Sequence, residues 1–139
     1  IQAGVSNASF HDVSDHRLPE DKSFGFIATF DCVHDMTSPE ELANAIYNSM
    51  TPDGRWLIVD PTSKGTLEEN IKMPLAVFGY AASVAGCLQS GMSEPGGAGH
   101  GVFGLPASAM QELTERAGFT RFRQLNIEHA MNSYYEVRP

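Results

Sequence analysis

Three ionisable side chains crowd into five residues of this chain: Asp31, His34 and Asp35, within Phe30-Asp31-Cys32-Val33-His34-Asp35-Met36. Imidazole is suited to taking a proton from a hydroxyl or amine near neutral pH. His34 is therefore the candidate for proton transfer, and Asp35 can orient it or contact a bound molecule. The plainer alternative is that His34 only positions its own loop by hydrogen bonds. The other histidines, His11, His16, His100 and His129, are scattered, and none makes a ligand pair with a third partner, so no metal site is expected. Cys32 and Cys87 form no CxxC pair and read as reduced thiols of a cytoplasmic protein, with Cys32 in a packing role.

These residues need a scaffold, and the flanking pattern supplies one. Phe24 to Phe30 is an apolar run too short for a helix and rich in aromatic and branched residues, which reads as a buried strand. Ser38-Pro39-Glu40-Glu41 opens a helix, with Ser38 as N-cap, Pro39 in the first turn and Glu41 completing a capping box. Leu42, Ala43, Ile46, Tyr47 and Met50 then recur on one helical face, and Thr51-Pro52-Asp53-Gly54 ends it with turn residues. Arg55 to Asp60 holds four consecutive large apolar residues before its acid, as in a parallel strand covered on both faces. In open parallel sheets the ligand lies outside the carboxyl ends of the strands, where these acids fall.

The remaining elements follow the same logic. Ala8 to Val13 reads as a short strand ending at an acid, and Ser14 to Ser23 as a loop. Thr66 to Leu88 reads as helical in up to two pieces, since Pro74 interrupts the pattern. Gln89 to Gly104 is glycine-rich and reads as a mobile loop. Pro106 to Ala117 is an amphipathic helix closed by a left-handed Gly118 with Phe119 packed behind it. Two final strands, around Phe122 to Leu125 and Met131 to Val137, should pair antiparallel.

Composition limits the partners. The chain has 139 residues, enough for one domain, and a formal net charge of −8 with only nine Lys and Arg. Such a surface repels phosphate backbones and anionic lipid, so nucleic acid and membrane are not expected partners of this region. The most apolar segment, Pro74 to Leu88, is too short to span a bilayer.

Phe30-Asp31-Cys32-Val33-His34-Asp35-Met36, Met50-Thr51-Pro52-Asp53-Gly54-Arg55-Trp56-Leu57-Ile58-Val59-Asp60-Pro61, Ala117-Gly118-Phe119 and Tyr134-Tyr135-Glu136-Val137-Arg138-Pro139 together resemble the class I, Rossmann-like S-adenosylmethionine-dependent methyltransferases. The likeness is to a branch in which many members carry an N-terminal winged-helix domain. That family's sheet has strand order 3-2-1-4-5-7-6 with the seventh strand antiparallel. The resemblance implies an α/β fold in which residues 1–139 form a partial methyltransferase domain, strands 3 to 7, lacking the N-terminal glycine-rich βα unit. Gly96-Gly97-Ala98-Gly99 falls too late in the chain to be that loop, and Gly25 stands where an aspartate is usual.

By the same resemblance the cofactor is S-adenosylmethionine and the acceptor a small molecule. Asp12 would hold the adenine amino group and Val13 would lie beside the ring. Phe30 and Asp31 would form a cofactor wall and His34 the catalytic base, while Asp35, Phe78 and Tyr80, with Met73 and Met92, would face the acceptor. Read without the resemblance, turn-capping is the commoner role for an aspartate such as Asp12, and ordinary core the commoner one for Phe30 and for Met73, Phe78, Tyr80 and Met92. The expectation is a piece of a longer parent, inactive alone, whose exposed sheet edge invites self-association. The rival from another class is a non-catalytic methyltransferase-like module for ligand sensing or protein association.

Overall fold

In the computed structural model, which describes residues 5–12 and 17–139, the apolar run after the N-terminal segment forms β1 (Phe24–Phe30). It is followed by a 3-10 turn at Val33–Asp35, the helix α1 (Pro39–Ser49) and the strand β2 (Met50–Pro61). β1 and β2 run parallel, with Phe30 opposite Val59. Both carboxyl ends therefore reach one rim, carrying Asp31 and Asp60. Ser38 occupies the N-cap of α1, but its side chain makes no cap hydrogen bond, so the capping box does not form. The turn residues Pro52 to Gly54 lie in a bulge, since the β2 partner shifts from Met50 to Arg55 between Phe24 and Phe26.

Two strands complete the sheet, β3 (Arg121–Leu125) and β4 (Asn132–Arg138), in the order β1-β2-β4-β3. β4 is antiparallel to both neighbours, as the sequence predicts. This corresponds to the 4-5-7-6 half of the expected order. The family's third strand, expected at Ala8 to Val13, does not form over the described residues: residues 8–12 are irregular and exposed, and Val13 lies outside them. In the 3-2-1-4 order two strands separate it from β1, so it does not pair with β1.

Burial follows strand position. β2 lies between β1 and β4, and Trp56, Ile58, Val59, Asp60 and Pro61 are buried. Trp56 satisfies its indole N–H by donating to Thr29 Oγ1 at 3.0 Å. β1 differs from the buried strand expected, because it is paired on one side only; Phe26 is 60% and Phe30 64% exposed.

The predicted helix Thr66 to Leu88 is broken further than one proline requires. It comprises α2 (Leu67–Asn70), α3 (Ala76–Ala82), a π turn at Ser83–Cys87 and α4 (Leu88–Gly91). The glycine-rich segment after it is tied down and does not form the free loop expected. Ala98 N–H donates to Thr37 O at 2.9 Å, Gly99 N–H to Gly91 O at 3.2 Å, and Val102 N–H to the buried Ser83 Oγ at 3.1 Å. A Cβ on Gly91 would lie 3.2 Å from the Gly99 backbone, so close chain approach explains the glycine there.

Helix α5 (Ala107–Arg116) packs Met110 and Leu113 into the core with Ile46 of α1. It ends at Gly118, whose φ of +105° is the left-handed cap predicted, and Phe119 packs on Tyr47 and Trp56 with ring centroids 5.2 and 5.5 Å away. A Cβ at Gly118 would sit 2.9 Å from the Tyr47 ring. Gly118→Ala should therefore cost about 1–3 kcal/mol, read as a lowered urea midpoint with unchanged slope. An unchanged midpoint would remove the backbone argument.

Candidate active site

The rim where β1 and β2 end carries the densest chemistry. Asp60, 1% exposed at the tip of the central strand, cannot remain buried and charged without partners. His34 supplies them twice. Its backbone N–H donates to Asp60 Oδ2 at 3.2 Å, and its ring Nδ1 lies 3.2 Å from Asp60 Oδ1. The 3-10 turn folds His34 back over the end of β2, leaving it 3% exposed. Its other ring nitrogen, Nε2, lies 3.1 Å from Asp35 Oδ1. That contact is not aligned as a hydrogen bond, and this buried carboxylate oxygen has no hydrogen-bond partner among the described residues.

The electrostatics oppose one another. Burial disfavours the His34 imidazolium, but the Asp60 hydrogen bond and the charges of Asp60, Asp35 and Asp31 outweigh it, leaving the pKa above the ordinary 6.5. Asp31 follows β1 in a left-handed conformation, φ +48°, held by its N–H to Val59 O at 2.8 Å. Its carboxylate accepts two contacts from Asn132 Nδ2, at 2.9 and 3.1 Å, joining the β1 tip to the start of β4. A left-handed non-glycine residue at a strand end is strained, and this bridge helps to hold it.

A cavity of about 300 Å³ opens beside these groups, lined by Asp31, His34, Asp35, Cys87, His129 and Asn132 together with apolar residues. Pro61, Val102, His129 and Met131 also line an adjoining apolar cavity of about 110 Å³ that reaches Met73 and Phe103. His129 has the opposite character to His34, since its Nδ1 accepts backbone N–H groups from Met131 and Asn132 at 3.3 and 3.0 Å.

The residues expected at the site divide clearly. Asp31, His34 and Asp35 share the cavity wall, and Phe30 stands exposed beside them. Asp12 belongs to the irregular, exposed segment, not to a strand tip, and Val13 lies outside the described residues. Helix α3 presents Gly79 and Ala82 to the cavity, whereas Phe78 is 60% exposed and Tyr80 packs on Phe103 with centroids 4.8 Å apart. Neither Phe78 nor Tyr80 lines the cavity by His34. Sequence reasoning did not place Cys87, His129 or Asn132 at the site; it had noted Asp60 only as a strand-end acid.

No family model matches the chain, and no curated protein matches it by sequence. Solved structures do match in fold. Human N-acetylserotonin methyltransferase in complex with SAM superposes with a TM-score of 0.61 at 18% identity, covering 94% of this chain and 32% of that one. The CMeT domain of the citrinin polyketide synthase gives 0.59 at 18% identity, covering 84% and 28%. An O-methyltransferase family protein from Burkholderia thailandensis gives 0.56 at 14% identity, covering 88% and 33%. The chain spans about a third of the length of each.

Asp60→Asn keeps an oxygen for the His34 N–H and removes the charge, so the His34 ring should titrate at lower pH than in the parent chain, by NMR. Because the folded-state pKa lies above 6.5, the stability from this pair is full below pH 6.5 and is lost as pH rises through the folded value. The pH dependence of the urea midpoint over that window should flatten in the variant. With its sheet order and its fold neighbours in agreement, the chain has the α/β fold of part of the Rossmann-like methyltransferase structures it superposes on.

Proposed function

We propose that this chain is the acceptor-facing part of an S-adenosylmethionine-dependent methyltransferase that acts on a small molecule. The observation that carries the reading is the shared rim. Parallel β1 and β2 deliver Asp31 and Asp60 to one end, with His34 held between Asp60 and Asp35 on the wall of a cavity. The human fold neighbour was solved in complex with SAM, which supports the choice of cofactor.

The described residues fit one wall of such a cofactor site. Phe30, exposed at the rim, offers an apolar face, and Asp31 a carboxylate beside it. The glycine-rich cradle and ribose acid expected of the family have no counterpart among these residues, so tight cofactor binding depends on a longer protein. When bound, the cofactor supplies an electrophilic methyl group on a sulfonium. The chain's own part is to hold the acceptor near that methyl and manage its proton. Asp60 accepts from the Nδ1–H of His34, which leaves Nε2 as the basic nitrogen. Nε2 takes the proton of an acceptor hydroxyl or amine, and Asp35 stabilises the resulting imidazolium. The cavity lining carries two carboxylates and no Lys or Arg among the described residues, which favours a neutral or cationic acceptor.

Calorimetric titration with S-adenosylhomocysteine tests the reading, on this chain and on a longer protein containing it. Binding by the longer protein is expected; binding by neither overturns the reading and leaves a non-catalytic module. In the binding-competent protein, His34→Ala should lower turnover roughly 10²–10⁴-fold with cofactor affinity unchanged. Turnover in the parent should fall as pH drops through a pKa above 6.5, because the base must be unprotonated.

The free edge of β1 carries exposed Phe26 and Phe30, an arrangement that invites pairing with another chain. The proposal is self-association through this edge. Sedimentation velocity should give a concentration-dependent coefficient that Phe26→Lys suppresses; a monomer at every concentration would refute it.

A further inference from the structure

The fold brings Cys87 to His34 and Asp35 from a distant part of the chain. Each offers one ligand atom, and these atoms all lie within 4.8 Å of one another. The π turn that ends at Cys87 interrupts the α3–α4 segment here, and such insertions are frequent at functional sites. Two further observations separate this cluster from a chance meeting of polar side chains. The buried Asp35 Oδ1 makes no aligned hydrogen bond among the described residues although it faces His34 Nε2 at 3.1 Å. In addition, Asp60 already holds His34 Nδ1 at 3.2 Å. A carboxylate behind a histidine is the support that metal-ligating imidazoles usually have; it fixes the tautomer and strengthens the outward nitrogen as a ligand.

We propose that His34 Nε2, Asp35 Oδ1 and Cys87 Sγ bind a borderline-soft divalent cation of the Zn²⁺ class. Zinc takes nitrogen, sulfur and carboxylate ligands at about 2.0–2.3 Å in tetrahedral array, so ligand atoms sit roughly 3.5 Å apart. In the cluster His34 Nε2 and Asp35 Oδ1 are 3.1 Å apart, and all three ligand atoms lie within 4.8 Å of one another. Three protein ligands would leave a fourth position for water or another ligand, and all three line the cavity. The binding site stands on this geometry alone. One consequence rests on the methyl-transfer reading: an ion on Nε2 occupies the lone pair that would accept the acceptor's proton, so the cation is inhibitory.

The chain itself is the test material. Zn²⁺ titrated by calorimetry should bind one equivalent, and Co²⁺ as spectroscopic substitute should give a near-ultraviolet thiolate charge-transfer band. Cys87→Ser should abolish that band and weaken Zn²⁺ binding by about tenfold or more, since even changes behind the ligands cost roughly 10–100-fold. Cys32→Ser should leave both unchanged. Should Cys87→Ser fail to fold, alkylation of the unaltered chain followed by mass spectrometry decides, with Zn²⁺ slowing modification at Cys87. Absence of stoichiometric binding, a charge-transfer band that survives Cys87→Ser, or alkylation of Cys87 at the same rate in excess Zn²⁺ would each overturn the proposal. None of these measurements involves the methyl donor, so they fail or succeed independently of S-adenosylhomocysteine binding.

Discussion

A buried carboxylate at the tip of the central strand is the constraint on which the rim depends. Asp60 continues the hydrophobic run of β2 and is carried into the interior with it. An unpaired charge there would cost several kcal/mol or more, so a neighbouring loop must bring donors. The 3-10 turn after β1 does so by delivering both the backbone and the ring of His34 to one carboxylate. The histidine that most resembles a catalytic group is thus also a structural partner. Its basicity and its position come from the same contacts.

The same economy governs the two cavity histidines. His34 lies between carboxylates, and its pKa is raised despite its burial. His129 accepts two backbone N–H groups at Nδ1 and so closes the turn before β4. One ring faces negative charge and the other faces peptide donors. Identical side chains on one cavity wall therefore make different hydrogen bonds, set by what lies behind them. Surface ion pairs such as Arg116 with Glu40 contribute little beside these buried contacts.

The sheet is asymmetric in a way that matters for function. β2 has neighbours on both sides and is buried almost throughout its second half, whereas β1 has one neighbour and exposes Phe26 and Phe30. One side of the rim carries His34, Asp35 and the glycine-rich segment packed on α4. The opposite side is open along β1.

Local periodicity made much of this legible. Seven residues from Phe24 to Phe30 are too short for a helix and too apolar for a loop; the α1 face of Leu42, Ala43 and Ile46 repeats at helical spacing; Gly118 marks a stop that only a left-handed residue allows. Those features depend on neighbours within a few residues, so the sequence alone determined them, together with the acids at the strand ends. It did not determine which distant groups would meet. The pairing of His34 with Asp60, the arrival of Cys87 beside Asp35, the outward turn of Phe78 and the tethering of the glycine-rich segment to Thr37 were decided by tertiary structure. The strand expected at Ala8 failed for the same reason. A strand is completed by hydrogen bonds to a neighbour, and no pattern within its own residues can provide one.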